Sequence, residues 1–146
     1  MKALYIEHSI NVSTYDIDFA GHVSNIVYLR WLEDMRLKVM DTYCPLQKFL
    51  ANGVTPILRS TEIQYKKPIR LFEKPKGKMW ISEHSMSSFG IVAEIFVDGE
   101  LTTTAKHVLV FVDMAKMKPV RIPRLFLDAI ETYTAAGDEL LRNLYS

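Results

Sequence analysis

The residues best suited to chemistry lie near the N-terminus, where two aspartates and a glycine turn precede a long apolar segment. Asp16 and Asp18 are followed by Gly21 and His22, and the apolar segment begins at Asn25. A carboxylate can act as a nucleophile or as a general base on water. The first N–H groups of a helix carry about half a positive charge and stabilise a carbonyl oxygen as it becomes negative. Together these groups suit transfer of an acyl group to water.

The spacing of the two groups allows them to meet. Asp18 lies seven residues before Asn25, across a turn that contains Gly21, so the carboxylate and the helix start can face one cavity. Considered alone, an aspartate in such a position is usually a turn or capping residue. The sequence does not choose between a nucleophile and a base. For Asp16 we favour a structural role that supports the loop.

From Asn25 the chain is predicted to form a helix that ends near Tyr43, with Ser24 as the N-cap residue. Apolar side chains recur at spacings of three and four and form one stripe, made of Tyr28, Trp31, Leu32, Met35 and Val39. Further apolar residues beside the stripe indicate a helix buried on several sides. Pro45 ends it, and a short second helix is predicted for residues 45–53.

The remaining elements are mostly strands. Runs rich in β-branched and aromatic residues predict strands at 8–16, 56–66, 77–86, 89–97 and 100–112. Asp98-Gly99 between the last two is typical of a type I′ hairpin turn. A C-terminal helix is predicted for residues 123–144. This order predicts an α+β fold in one domain over residues 1–146, with exposed sheet edges that favour a homodimer or homotetramer.

The bulk composition excludes several classes of function. The net charge is +1, which favours neither nucleic acid nor membrane binding, and the N-terminal segment is too polar to span a membrane. Cys44 is the single cysteine, so no internal disulfide forms, and we expect a cytoplasmic protein. No glycine-rich phosphate loop, zinc-type cluster or Gly-x-Ser-x-Gly motif occurs. We therefore expect no metal and no cofactor.

Residues 15–33 resemble the signature of the 4-hydroxybenzoyl-CoA thioesterase family. Six positions match in register, namely Asp16, Asp18, Gly21, Val23, Tyr28 and Glu33. The resemblance implies a hot-dog fold over residues 5–125, in which a five-stranded antiparallel sheet wraps around a long central helix, here with an extra C-terminal helix. It also implies an acyl-CoA thioesterase that releases the free acid and CoA.

The resemblance assigns roles to individual residues. Asp18 matches the catalytic carboxylate of the family, and Asn25 matches the residue whose backbone N–H polarises the thioester carbonyl. The family often has His or Tyr where this chain has Asn25, so only the backbone role is carried over. The expected substrate contacts are Phe19, Gly21, His22, Ile26, Tyr28, Thr61 and Ile63, although Tyr28 also fits a place in the core. Glu33 has an alternative role in pairing with a neighbouring arginine of the helix.

Two basic clusters are candidates for binding the phosphates of coenzyme A. The expected contacts are Lys66, Lys67, Arg70, Lys116, Lys118 and Arg121. In similar enzymes the nucleotide lies near such loops, often with help from a second subunit. An acyl carrier protein, which is acidic, suits the same loops and is an alternative thiol carrier. The length and chemistry of the acyl group are not specified by the sequence.

Two other functions stay open at this point. One is a hot-dog dehydratase or hydratase. These enzymes carry a histidine in the helix segment, and residues 25–43 contain none, which counts against this function. A non-catalytic acyl-CoA-binding protein would share the fold and the pocket without the hydrolysis.

Overall fold

One antiparallel sheet and one long helix dominate the computed structural model, which describes residues 1–134. The strands are β1 (Ala3–Ser9), β2 (Val54–Tyr65), β3 (Lys76–His84), β4 (Ser88–Val97), β5 (Glu100–Asp113) and β6 (Lys118–Pro119). The helices are α1 (Asn25–Tyr43), α2 (Leu46–Ala51) and α3 (Arg124–Thr132), and a 3₁₀ turn spans Thr14–Asp16. The predicted α+β hot-dog architecture is confirmed.

The order of the long strands in the sheet is β1-β3-β4-β5-β2, and β6 adds two residues beside the end of β5. β2 is therefore an edge strand, and β6 lies on the opposite side of β5. The β4–β5 hairpin turns at Asp98 and Gly99, whose φ angles are 50° and 78°. Both residues are left-handed, as the type I′ prediction requires.

α1 lies across the concave face of the sheet with its apolar stripe inward. Its buried residues are Val27, Tyr28, Trp31, Leu32, Met35, Val39 and Met40. They pack on inward-facing side chains of the strands such as Met79, Ile81 and Ile95. The helix approaches β3 so closely that a Cβ at Gly77 would lie 2.6 Å from Cε of Met35. The burial predicted for this helix is confirmed.

Four phenylalanines attach the smaller helices to the sheet. Phe49 of α2, Phe89 of β4, Phe111 of β5 and Phe126 of α3 have ring centroids 4.7 to 6.2 Å apart in their contacting pairs. Such offset and edge-on contacts are the favoured arrangements of aromatic rings. This cluster closes the end of the core where α1 finishes.

The strand predicted at residues 8–16 is wrong. The first strand is Ala3–Ser9, and its pairing partner is β3. The chain then turns at 14–16, because the Ser13 N–H donates to Oδ2 of Asp16 at 2.8 Å and the Asp16 N–H donates to the Ser13 carbonyl. These local bonds favour a 3₁₀ turn over an extended strand.

Smaller differences concern the ends of elements. The short helix, the other four strands and Ser24 as N-cap are confirmed within a few residues. β6 was not predicted, because its two residues lie in a polar connection. α3 begins one residue after the predicted start and ends at Thr132, and the rest of the prediction, from residue 135 to 144, lies outside the described residues.

Candidate active site

A tight turn carries Asp18 toward the start of α1. The Asp18 N–H donates to the His22 carbonyl at 2.8 Å, and the Gly21 N–H donates to the Asp18 carbonyl at 3.0 Å. A single bridge between Ile17 and Val23 closes the loop. Gly21 has φ +80°, so the turn needs the left-handed conformation that glycine adopts readily. The predicted turn is therefore present, one residue before the N-cap.

Gly21→Ala tests this conformation. A Cβ at position 21 would meet no atom within 4 Å, so the expected cost is the left-handed strain alone, about 1–2 kcal/mol in the free energy of unfolding. Gly21→Asn should cost less, because asparagine tolerates this region. Urea unfolding of the two variants checks the order. Equal losses for Ala and Asn would show that the backbone angle is not the cause.

The Asp18 carboxylate is half-buried and held by one oxygen. Oδ1 accepts the Ala20 N–H at 2.9 Å and lies 3.4 Å from the His22 nitrogen. Within residues 1–134 no hydrogen bond reaches Oδ2. The turn contacts and a reaction would thus use different oxygens of the same group, so a structural role for Asp18 does not exclude a catalytic one.

The start of α1 offers backbone donors. Ser24 is the N-cap residue, but its side chain makes no capping hydrogen bond. Its N–H donates to the Asp16 carbonyl at 2.9 Å, and the Val27 N–H donates to the Ser24 carbonyl. Between them, the N–H groups of Asn25 and Ile26 have no protein acceptor in the part of the chain that is described. These two donors and the helix dipole form a site for a carbonyl oxygen or an anion.

Asp16 supports the loop from inside. Its side chain is 6% exposed and accepts the Ser13 N–H, while its carbonyl accepts the Ser24 N–H. The residue thereby joins the 3₁₀ turn to the first residues of α1. This is the structural role that the sequence favoured.

Several predicted substrate contacts surround the helix start. Phe19 is fully exposed, Ile26 is 63% exposed and Gly21 is exposed, while His22 is half-buried. A single chain therefore leaves the apolar side chains of Phe19 and Ile26 uncovered beside the helix start. Thr61, in the edge strand β2, is exposed as well.

The other predicted contacts on β2 lie on the concave face of the sheet. Thr61 pairs with His107 and Ile63 with Ala105, both of which are buried inward-facing residues of β5. Cross-strand partners point to the same side of a sheet, so Thr61 and Ile63 also face the helix side. The structure places them on the same side of the sheet as the helix start.

Tyr28 is part of the core. It is 2% exposed, and its ring lies edge-on to Tyr65, with the centroids 5.0 Å apart. The Tyr65 hydroxyl donates to the Asn25 carbonyl at 3.4 Å, which links the end of β2 to the helix start. Burial raises the pKa of Tyr28 above its usual value. In this chain Tyr28 supports the helix start, and its ring offers almost no surface to a ligand.

The two basic clusters are far apart. Lys66, Lys67 and Arg70 follow the end of β2, whereas Lys116, Lys118 and Arg121 surround β6 at the opposite end of β5. The paired length between these ends runs from Val54–Asp113 to Tyr65–Thr103, roughly 35 Å at the usual rise per residue. The first cluster is the one beside the helix start. One chain does not bring both clusters to one phosphate group.

A cavity that the sequence did not predict lies between α1, α2 and the sheet. Its volume is about 280 Å³, and we call it the Arg36 cavity. Its walls are mostly apolar, and they include Leu37, Val39, Met40, Leu46, Leu58, Ile81, Phe89, Ile91 and Leu109, with Glu33 and Arg36 as the charged members. Six separate elements contribute to these walls. The one sign of this cavity in the sequence was Arg36, a charged residue beside the apolar stripe of the helix.

Arg36 is held by a buried histidine. Nη1 of Arg36 lies 2.7 Å from Nδ1 of His107, which is 2% exposed. Arginine is always a donor, so Nδ1 accepts and the imidazole proton sits on Nε2. Burial first, and Arg36 second, lower the pKa of His107 to about 4, so the ring is neutral near pH 7. Nε2 is buried and has no partner among residues 1–134.

Within the described ranges, no three histidine, cysteine, aspartate or glutamate side chains cluster closely enough to hold a metal ion. No helix of residues 1–134 is both long and apolar enough to cross a membrane.

A sequence profile of the thioesterase-like superfamily matches residues 12–130. The match includes the aspartate turn, the whole of α1 and strands β2 to β6. The chain belongs to this superfamily. It is accordingly a thioester hydrolase, with the hot-dog fold seen in the structure.

Solved structures agree with this assignment. A DHNA-CoA thioesterase from Staphylococcus aureus is 27% identical, covers 97% of this chain and 95% of its own, and superposes with a TM-score of 0.80. A 1,4-dihydroxy-2-naphthoyl-CoA thioesterase from Synechocystis is 19% identical over 86% of this chain and 95% of its own, with a TM-score of 0.79. A hypothetical Staphylococcus aureus protein in complex with CoA is 15% identical over 91% and 85%, with a TM-score of 0.82. The last two show the fold alone, and no curated protein sequence matches the chain.

Proposed function

We propose that this superfamily member hydrolyses an acyl-CoA thioester to the free acid and CoA, with Asp18 as the catalytic carboxylate. One observation carries the proposal. A turn that ends one residue before the N-cap of α1 holds Asp18 by Oδ1, while Oδ2 and the N–H groups of Asn25 and Ile26 have no partner in the described chain. Thioester hydrolysis needs both groups, namely a carboxylate near the carbonyl carbon and donors for the carbonyl oxygen.

The same groups serve either form of the reaction. As a base, Asp18 takes a proton from water while the water oxygen attacks the carbonyl carbon, the C–S bond breaks and the thiolate is protonated. As a nucleophile, its oxygen attacks the carbonyl carbon, the C–S bond breaks, and the CoA thiolate leaves and is protonated; water then hydrolyses the mixed anhydride to the free acid and Asp18. In both, the Asn25 N–H stabilises the negative carbonyl oxygen. We therefore propose that no metal or cofactor takes part.

Coenzyme A is the proposed thiol carrier. The DHNA-CoA thioesterase that is 27% identical over nearly the whole chain supports this choice. Lys66, Lys67 and Arg70 are exposed beside the helix start, where the phosphates of a bound CoA would need cations. Lys67 is paired with Glu100 at the surface and would exchange this partner for a phosphate.

A homodimer is the second part of the proposal. The outer edge of β2 is open, and residues 58–62 are exposed on both faces of the strand. An open edge with exposed side chains pairs readily with another strand. Antiparallel pairing of two β2 strands would place Lys116, Lys118 and Arg121 of one copy near Lys66 and Lys67 of the other. The two basic clusters would then meet across the interface.

Such pairing would also join the helix start to the Arg36 cavity. Within one chain they belong to opposite ends of β2, because Tyr65 contacts Asn25, whereas Thr55 and Leu58 line the cavity. Antiparallel pairing reverses the strand, so the helix start of one copy would lie beside the cavity of the other. We propose that the thioester carbonyl binds at the helix start of one copy and that the acyl group enters the Arg36 cavity of the other.

A cytoplasmic location completes the proposal. Cys44 is buried and free, and burial raises the pKa of its thiol to about 11. A buried thiol of this kind is inert. What supports a reducing compartment is that the single cysteine forms no disulfide.

A panel of acyl-CoA thioesters, assayed by release of free thiol, tests the activity. We expect hydrolysis of at least one class of acyl-CoA in the panel, and slower hydrolysis of the same acyl group on acyl carrier protein. A strong preference for the carrier protein would replace CoA in the proposal. Binding of acyl-CoA without hydrolysis would favour the non-catalytic alternative, and hydration of an enoyl-CoA would favour a hydratase.

A further inference from the structure

Arg36 is the one cation in the walls of the Arg36 cavity. Glu33 is the other charged residue of these walls, Thr55 is polar and the rest are apolar. Arg36 itself is half-buried. Burial lowers the pKa of Arg36, and Glu33 opposes this effect. A cation in an apolar wall is unfavourable unless a counter-ion compensates it. An anion bound beside Arg36 would therefore be stabilised.

Residues 1–134 provide no such anion in contact. Every ion pair of this part of the chain is formed elsewhere, and Glu33, although it lines the same cavity, is exposed and lies beyond the 4.0 Å limit for a pair with Arg36. The hydrogen-bond partner of Arg36 is the neutral ring of His107, which contributes no charge. His107 contacts Nη1, and Nη2 and Nε have no partner among residues 1–134. This fork geometry matches a carboxylate.

We propose that Arg36 is a specificity-determining residue, which binds a carboxylate at the end of the acyl group farthest from the thioester. The preferred substrate class is then the CoA thioester of a dicarboxylic acid with an apolar middle. The inference rests on the proposed acyl-CoA hydrolysis and on the shared site between two copies. Within one chain, Asn25 and Arg36 are separated by eleven residues of helix, roughly 16 Å. The acyl group would therefore enter the Arg36 cavity of the other copy, which antiparallel pairing of the β2 strands would bring beside the helix start.

The test compares acyl groups of equal length that differ at their far end. Adipoyl-CoA, hexanoyl-CoA and 6-hydroxyhexanoyl-CoA form one such set, and shorter and longer sets extend the comparison to other acyl lengths. We expect wild-type kcat/KM for the carboxylate member of the best set to exceed that of the methyl member by roughly 10–100-fold, the size of a charge-assisted hydrogen bond. The hydroxyl member should fall between them.

Arg36→Met is expected to reduce this ratio to about 1 or below, because a carboxylate without a counter-ion is disfavoured in an apolar cavity. Since both substrates are measured on one preparation, partial loss of folded protein cancels in the ratio. Arg36→Lys keeps the charge and loses the fork, so an intermediate ratio is expected. Arg30→Met removes another arginine of α1 that lies outside the Arg36 cavity, and its ratio should equal that of wild type.

The outcomes separate the two proposals. Hydrolysis without preference for the carboxylate in any set, or a preference that survives in Arg36→Met, overturns the role of Arg36 and leaves the thioesterase proposal standing. A preference for the hydroxyl member that Arg36→Met abolishes would keep Arg36 as the determinant and overturn the carboxylate. Absence of hydrolysis in every set overturns the proposed function and this inference with it.

Discussion

Asp18→Asn is expected to lower kcat/KM for the best acyl-CoA by on the order of 10²–10⁴, the usual contribution of a catalytic base. The amide cannot take a proton from water or form an anhydride. Its Oδ1 can still accept the Ala20 N–H, so the turn and the helix start should keep their geometry. Initial rates of thiol release, compared at equal folded protein, measure the effect. Binding of a non-hydrolysable CoA thioether should change little.

Asp16→Asn is the matched control. It makes the same chemical change two residues earlier, in a side chain that is buried and bonded to the Ser13 N–H. Asparagine keeps an acceptor for that bond, so the rate should stay within a few-fold of wild type. If Asp18→Asn retained full activity, the reaction would have to use another group. Equal losses in both variants would indicate a disturbed loop.

Local patterns of sequence were sufficient for the central helix and its turn. α1 has the predicted bounds, because an N-cap residue, an apolar stripe and Pro45 all act within a few residues of the positions they define. The same holds for Asp18 and Asn25, which are close in sequence and joined by a turn that Gly21 permits. The proposed reaction centre therefore depended on short-range information.

The error at the first strand has the opposite cause. Ala3–Ser9 becomes a strand because it pairs with Lys76–Ile81 of β3, whose residues lie 67 to 78 positions farther along the chain. The alternation at Ile10 and Val12 resembled a strand equally well. Hydrogen bonds between Ser13 and Asp16 bent that segment instead. An alternation of apolar and polar residues does not identify the partner strand, and the availability of a partner determines which segment becomes a strand.

The proposed acyl pocket, which is the Arg36 cavity, depended on long-range information in the same way. The walls of the Arg36 cavity come from α1, α2 and four strands, and the contact between Arg36 and His107 joins residues 71 positions apart. The basic clusters at Lys66 and Lys116 looked alike in the sequence, but the antiparallel register of β2 and β5 places them at opposite ends of the sheet. Only the register reveals that one chain keeps them apart.

The stability of the protein should fall in mild acid through His107. Its pKa is about 4 in the folded protein and 6.5 when unfolded, so the unfolded chain binds the extra proton between these values. The contribution of the neutral ring is complete above pH 6.5 and is lost as the pH falls through 4. A shift of this size corresponds to about 3 kcal/mol in the free energy of unfolding.

His107→Gln isolates this term, since glutamine can accept from Arg36 and does not titrate. Urea unfolding at pH 7, 5.5 and 4.5 should show a steeper loss for wild type, while titrations common to both proteins cancel in the difference. Parallel losses would show that His107 is not the sensitive group. A steeper loss for wild type would also bear on the contact between His107 and Arg36. A protonated ring would repel the guanidinium that it now holds, so the Arg36 cavity and the fold should lose their integrity over the same range of pH.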